Sequence, residues 1–496
     1  MNIRVRYAPS PTGLQHIGGI RTALFNYLFA RCQNGKFILR QEDTDQNRFD
    51  EKYVKNIYDS FAWLGLQWDE GPDKGGPFAP YIQSRRNELY KKYACELLKK
   101  GQAYYCFCSA DRIEKIRQER EAAHSSLSGY DRYCRNIPEE KAIARAASGE
   151  TYTIRLKIPL NETTVFHDFL LGDIEWKNDD INPDPVLLKS DSFPTYHLAN
   201  VVDDHLMEIS HVLRAQEWLS STPLHVIMYN CFGWKPPEYC HLPLVMGHDG
   251  KKLSKRHGAT SIDEFRLQGF LPEALLNYIA MLGASWEEGR SDIYSLQELE
   301  NKFSMEKLNK AQAIFDYKKL EWFNGQYIRM KSSEELASLC LPFALEKGLF
   351  GAAGAEPSPK QMELFIKAMP LIRERMTFLN EAAERINYLF KEPDIPPPQE
   401  FIPKKASLIE TIRLLGLGRK ITEGLVLSEN DAAAEVLIKE FSEKESVKLG
   451  DLMMPLRVAI TGTRVSPPLF GSLRLLGIET SLMRIGAVLS FLENSV

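Results

Sequence analysis

The chain has 496 residues, 44% hydrophobic and 26% charged, with a formal net charge of −4 and a sequence pI near 6.3. One hydrophobic core does not grow to that length, so several domains are expected, and the acidic balance excludes binding of nucleic acid through a globally basic surface. Eight cysteines without regular spacing point to reduced thiols in a cytoplasm, and no apolar leader, bilayer-crossing run or internal repeat is expected.

Ile3, Val5 and Tyr7 alternate with Arg4 and Arg6, the two-residue period of a strand. A turn marked by Pro9, Pro11 and Gly13 leads to His16-Ile17-Gly18-Gly19, after which Ile20, Ala23, Leu24, Tyr27 and Leu28 recur at helical spacing. Strand, glycine-rich turn and helix bring a phosphate against free N–H groups at a helix N-terminus. The turn lacks both the Lys-Ser/Thr ending of a P-loop and the G-x-G-x-x-G spacing, so a different nucleotide chemistry is required. Residues 1 to about 92 read as alternating strands and helices around a parallel sheet. Glu42-Asp43-Thr44-Asp45 then falls just past a strand; such a run is either a solvated acidic turn or a carboxylate facing an ammonium group.

Cys106, Cys108 and Cys134 are three thiols that Tyr130 or His124 would complete as a tetrahedral metal site; the alternative is idle thiols, because a lone C-x-C is poor evidence for zinc. Residues 93–185 are mixed, with short strands at 152–157 and 164–166, an α+β insertion. The sheet is expected to resume at Asp191–Asn200 and to continue in Ile209–Arg214. Arg214 at a strand end is either a surface ion-pair partner or a planar fork for a carboxylate. Thr222-Pro223 reads as a cap followed by proline at a helix start. Lys251-Lys252-Leu253-Ser254-Lys255-Arg256 is either a solvated loop or a mobile one that closes over a triphosphate. Ser261 with Glu264 forms a capping box. From about 327 the reading is helical, with apolar stripes at Leu336, Leu339, Leu341 and Phe343 and at Ile366–Ile372, divided by a proline-rich segment at Pro393–Pro403.

PSPTG, HIGG and RTALFNYLFAR run in register into Phe37–Arg40 and Glu42–Asp45, and together with KLSKR this pattern resembles the bacterial-type glutamyl-tRNA synthetases of class I. The resemblance implies an α/β fold: a Rossmann-like catalytic domain (1–92 and 186–240), an insertion binding the acceptor end of tRNA (93–185), and a stem-contact domain carrying KLSKR (241–326). Two all-α anticodon-binding subdomains (327–392 and 393–496) follow. It implies ATP-dependent activation of L-glutamate and transfer to tRNA-Glu, with Mg²⁺ accompanying ATP, in a cytoplasmic monomer away from membranes.

By the same resemblance His16, Lys252 and Lys255 stabilise developing phosphate charge, and Pro9, Ser10, Gly18, Gly19 and Lys255 bind ATP. Arg6, Ser10, Glu42, Tyr196, Asn200 and Arg214 hold glutamate, with Arg214 on its side-chain carboxylate. Asp45, Arg457, Pro467, Leu469 and Phe470 contact tRNA, and Arg373 and Arg375 are candidates for reading the last anticodon base. Some members bind zinc at a cysteine array like Cys106, Cys108, Tyr130 and Cys134. Gly19 stands where other class I members carry a second histidine, and Gln41 where the family more often has an apolar residue. A glutaminyl-tRNA synthetase would need a β-rich second half. A nucleotidyltransferase would explain the first signature only, and a non-enzymatic tRNA binder should have lost His16 or the lysines.

Overall fold

A computed structural model describes residues 2–122, 129–287 and 292–496. The chain divides into two compact units, Met1–Arg266 with Pro272–Tyr317, and Leu267–Leu271 with Lys318–Val496.

In the first unit, β1 (Arg4–Tyr7) and β2 (Lys36–Leu39) run parallel with Val5 opposite Phe37, and the helix Ile17–Cys32 crosses over between them. Ile17, Ile20, Ala23, Leu24, Phe25 and Leu28 are all inaccessible, so this helix is a core element buried nearly all round. Buried Asn26 donates from its amide nitrogen to Thr22 O and Leu213 O, at 2.8 and 3.0 Å, which ties the helix to Leu213 inside the core.

β3 (Ala103–Cys106), β4 (Thr153–Leu156), β5 (Thr163–Asp168), β6 (Gly172–Lys177) and β7 (Val186–Leu188) follow in order. β3, β4 and β7 form one antiparallel sheet, whose Ala103, Ile154 and Leu156 pack against Tyr90, Leu97 and Leu198. The β5–β6 hairpin belongs to another sheet, in the order β6-β5-β9-β8, with β8 (His211–Ala215) parallel to β9 (Glu238–Leu242). Strand pairing thus runs across residue 185. Arg4 N–H donates to Ser210 Oγ at 2.8 Å and Ser210 N–H to Arg4 O at 2.9 Å, which ties β1 to the start of β8. A short parallel pair, β10 (Val245–Met246) with β11 (Ala313–Ile314), completes the strands.

Two local expectations are corrected here. The segment Asp191–Asn200, expected to resume the sheet, is a turn followed by the start of the helix Tyr196–Leu206. Ser192 sits at φ 68° and Pro194 breaks any extended run, while Leu198, Val201 and Val202 bury at helical spacing. The helix Thr222–Phe232 is flanked by Ser221 at its cap position, and Thr222 turns its hydroxyl to Arg214 instead of capping.

The second unit is helical, with no strand among its described residues. In the helix Ser333–Glu346 the buried stripe is Leu336, Ala337, Cys340 and Ala344; Leu339, Leu341 and Phe343 are only half-buried. In Pro359–Ile372 it is Phe365, Ala368, Met369 and Ile372. The proline-rich segment holds a single turn, Pro398–Glu400. Among the described residues one helix, Leu469–Glu493, is long and apolar enough by composition to cross a membrane, contrary to expectation. It breaks at Gly477 (φ 80°, ψ 170°), and its Leu469, Leu473, Ile485, Val488 and Leu492 lie in one core with Leu415 and Leu456.

Candidate active site

A cavity of about 680 Å³ opens beyond the C-terminal ends of β1 and β8, where open parallel sheets bind ligands. Arg6, Pro9, Ser10, His16, Gly18, Gly19, Glu42, Tyr196, Asn200, Arg214, Lys252 and Lys255 all line it. Every residue expected at the catalytic, ATP and glutamate positions therefore meets in one space.

At the turn, His16 is the N-cap of Ile17–Cys32, and its Nδ1 accepts from Gly19 N–H at 3.2 Å. Burial, then the charge of Lys252, hold the imidazole below its ordinary range. Gly19 is required by a close approach: a Cβ there would lie 2.8 Å from the Tyr7 hydroxyl, which itself donates to Gln15 at 2.6 Å. Ile17 N–H donates to Thr260 O and Ile262 N–H to Gln15 O, both at 3.0 Å, joining the turn by backbone to the segment just past the lysine loop.

Deeper in, Arg6 donates to both oxygens of Asp204, at 3.0 and 3.2 Å, and Arg40 bridges Asp204 (2.7 Å) to Glu42 (2.8 Å). Two guanidinium groups and two carboxylates neutralise one another there, which is what makes their burial tolerable. Burial raises the Glu42 carboxyl above its usual range, against the pull of Arg40.

Arg214 is different. It is 5% exposed, and its guanidinium donates only to neutral acceptors: His241 Nε2 (3.1 Å), Tyr196 Oη (3.2 Å), His225 Nδ1 (3.5 Å), Thr222 Oγ1 (2.8 Å) and Trp218 O (3.3 Å). No carboxylate pairs with it among the described residues. A buried cation without a counter-ion, open to a cavity, is a receptor for an anion.

The lysine loop closes on itself. Asp249 accepts from His257 at 3.0 Å and pairs with Arg256 at 3.3 Å, while Lys252 Nζ reaches Glu217 at 2.5 Å. Glu264 accepts from Thr260 and Ser261 N–H, so the expected capping box starts the helix Ile262–Leu267. A loop that presents lysines to the same cleft as a histidine-capped helix N-terminus is equipped to hold a triphosphate at two points.

The catalytic-domain model of class I tRNA synthetases (E and Q) matches residues 2–322, and an anticodon-binding-domain model matches residues 335–489. The glutamate–tRNA ligase of Treponema denticola is 55% identical over 98% of both chains. The chain belongs to the glutamate–tRNA ligase family. The ligase of Dehalococcoides mccartyi is 44% identical over 99% of this chain and 98% of its own. A crystal structure of the Elizabethkingia meningosepticum ligase in complex with its amino acid superimposes with TM-score 0.88, at 34% identity over 99% of this chain and 100% of the other. These relatives are ligases, and the activity of this chain is theirs: joining glutamate to tRNA.

Against the ligase family's pattern, several lining residues escaped the sequence reading. Trp218 packs against Tyr196 with ring centroids 4.6 Å apart and planes tilted by 36°, and Tyr7, Thr22 and Glu217 also line the cavity. Trp218 lies four residues past Arg214, but nothing in its spacing marks it. His225, His241 and Asp168 carry no signature because their partners are remote in sequence.

The remaining expected residues are not among those that line the cavity. Asp45 is half-buried and paired with Arg48. In the helical unit Arg457 donates to Ser466 Oγ (2.8 Å) and Pro467 O (3.0 Å), and Arg375 to Ser466 O (2.8 Å), so two guanidinium groups converge on one turn. Pro467 is buried, Leu469 is 2% exposed within the core and Phe470 is half-buried, so Leu469 presents no free face to a base. Arg373 donates to Lys331 O. Cys106, Cys108 and Cys134 bring their Sγ atoms within 4.8 Å of one another, with the Tyr130 hydroxyl 3.4 Å from Cys106 and 3.8 Å from Cys108. Three soft thiols and one oxygen facing a common point fit a tetrahedral zinc site in their donor chemistry. His124 lies outside the described residues.

Proposed function

We propose that this cleft activates L-glutamate with ATP and then charges tRNA-Glu, with each side chain acting as follows. Glutamate's α-carboxylate attacks the α-phosphorus of ATP in line and pyrophosphate leaves; the 3′-terminal adenosine hydroxyl of the tRNA then takes the glutamyl group and AMP leaves. The protein positions the reactants and neutralises phosphate charge. Pro9, Ser10, Gly18 and Gly19 bind ATP beside the helix N-terminus, His16 and Lys255 stabilise the developing charge with help from Lys252, and Mg²⁺ travels with the phosphates. Glu42 faces the α-ammonium, whose arrival opposes the upward shift that burial imposes on this carboxyl. Arg6, Ser10, Tyr196 and Asn200 complete the pocket.

The observation that carries this reading is Arg214, a buried guanidinium with only neutral partners in the cavity shared by His16 and Lys255. Glutamate's side-chain carboxylate supplies the missing anion; glutamine's neutral amide lacks the charge-assisted pairing. The second unit reads the anticodon through Arg457, Arg375 and the half-buried ring of Phe470, as unstacked bases are commonly held by guanidinium and apolar faces. Residues 93–185 bind the acceptor end, Asp45 lies on the tRNA side, and residues 241–326 contact the stem. The cysteine cluster with Tyr130 holds a structural zinc ion. The eight cysteines are free thiols, in keeping with a reducing cytoplasm, and we infer a monomer there.

ATP–pyrophosphate exchange, run with glutamate or glutamine and with or without tRNA-Glu and tRNA-Gln, tests the reading. Exchange is expected with glutamate, not glutamine, and only when tRNA is present. Equal exchange with glutamine overturns the assignment of Arg214.

A further inference from the structure

Behind Arg214 stands a pair of residues that touch no part of the cavity. Asp168 Oδ2 lies 2.6 Å from His241 Nδ1, and both side chains are fully buried. The same carboxylate accepts the backbone N–H groups of Leu170, Leu171 and His241, each at 3.0 Å. A carboxylate with that many donors is ionised, so the imidazole must place its proton on Nδ1. Nε2 is then a bare acceptor, and it takes the Arg214 Nε–H at 3.1 Å. With the proton on Nε2 instead, two N–H groups would face each other at that distance.

On its opposite side the guanidinium meets a second imidazole, His225, which is itself within 3.1 Å of His197. Burial, ahead of the Arg214 charge, keeps His225 well below the ordinary histidine range, so this partner is also neutral. Asp168 therefore reaches Arg214 only through His241. It fixes the plane of the guanidinium without pairing with it, and the face toward the cavity keeps its full charge.

We propose that Asp168 and His241 are positioning residues for amino-acid selection: Asp168 fixes the tautomer of His241, and His241 aims Arg214 at the substrate's side-chain carboxylate. This rests on the reading of Arg214 given above and extends it to two residues that never touch the substrate. An acidic residue placed directly on Arg214 would occupy the anion site; one placed an imidazole away leaves that site open. The arrangement sets affinity for a carboxylate and leaves ATP handling alone, because neither residue lines the ATP side of the cavity.

The test is steady-state aminoacylation of tRNA by the full chain, varying glutamate and ATP separately, for Asp168→Asn, His241→Phe, His241→Gln and Arg214→Ala. Losing a buried hydrogen bond to a charged group predicts a glutamate KM raised about 10- to 100-fold in Asp168→Asn and His241→Phe, with the ATP KM moving less than about threefold. His241→Gln, whose amide oxygen accepts Nε–H, recovers at least half of that loss on a logarithmic scale. An unchanged glutamate KM in Asp168→Asn and His241→Phe, beside a large rise in Arg214→Ala, overturns the proposal and leaves Arg214 in place. No rise in Arg214→Ala removes the underlying reading itself. Should Asp168→Asn fail to fold, as loss of a multiply bonded carboxylate permits, the Phe and Gln variants decide alone: equal KM values for the two, or equal rises for glutamate and ATP, overturn the proposal.

Discussion

His16 and Ser261 face each other across an antiparallel bridge, with Ile17 N–H on Thr260 O and Ile262 N–H on Gln15 O at 3.0 Å each. Backbone bonds thus fix the spacing between the histidine that caps the first helix and the far end of the loop carrying Lys252 and Lys255. Side chains alone, on a loop free to drift, would not hold a triphosphate at both ends.

Replacing Lys255 with alanine should remove a cation from the charge that develops during pyrophosphate release. A fall in exchange rate of about 10²- to 10³-fold is expected, the scale found for single preorganised charge stabilisers. Filter binding of tRNA should be unchanged. Wild-type exchange in Lys255→Ala takes this lysine out of the reaction.

Lys252 is held by Glu217 at 2.5 Å, on side chains that are 56% and 44% exposed. Phosphate must compete with that carboxylate. Such exposed pairs are worth about 0.2–1 kcal/mol, so Glu217→Gln should lower the ATP KM by roughly 1.4- to 5-fold. Added salt should shrink the difference between the two proteins. A raised ATP KM in the variant would contradict this.

Acid should weaken the fold through its buried imidazoles. Burial, then Arg214, lower His197 to about 4, and burial also lowers His16, His225 and His241. Between the ordinary value near 6.5 and about 4, the unfolded chain takes up protons that the folded chain refuses, so stability present above pH 6.5 is lost as pH falls. Each such group contributes a slope of at most about 1.4 kcal/mol per pH unit. Melting temperature should drop steadily from pH 7 to pH 4.5, and His197→Gln should flatten the drop. An acid slope identical in the variant removes His197 from the account.

Arg457 and Leu469 should respond differently although both lie on helices that flank one turn. Arg457→Gln should raise the KM for tRNA about tenfold, the effect of losing one charge-assisted contact, with glutamate and ATP unaffected. Leu469→Ala should instead cost about 2–5 kcal/mol of stability in the helical unit by opening a cavity in its core. Denaturant melts and tRNA titrations separate the two. A stable Leu469→Ala protein with weakened tRNA binding would reverse these roles.

Protein prepared without chelators should carry about one zinc per chain by elemental analysis, and Cys106→Ser or Cys134→Ser should lose it. Three thiolates around one ion release their protons on binding, so affinity should fall with acidification. Burial, ahead of the neighbouring Cys106, already pushes the Cys108 thiol up to about 12, and zinc must overcome that resistance to ionisation. Metal-free wild-type protein would leave the cluster as packed thiols.

Some of this was legible along the chain and some was not. The turn from Pro9 to Gly19, the capping box of Ser261 and Glu264, and the helical second half are set by residues within a few positions of one another, where glycine, proline and caps dictate backbone shape directly. The sheet was expected to resume at Asp191–Asn200 because short segments satisfy either period, and only packing of Leu198, Val201 and Val202 into a shared core selects the helix Tyr196–Leu206. In Ser333–Glu346 Leu336 is buried as expected, but Ala337, Cys340 and Ala344 complete the stripe in place of Leu339, Leu341 and Phe343, since which neighbours arrive decides which face buries. Arg214 could be named from its place at a strand end; its lack of a counter-ion could not. That property depends on His241 and Asp168, 73 residues apart, meeting behind it, and such distant partners are brought together by the sheet order β6-β5-β9-β8 alone.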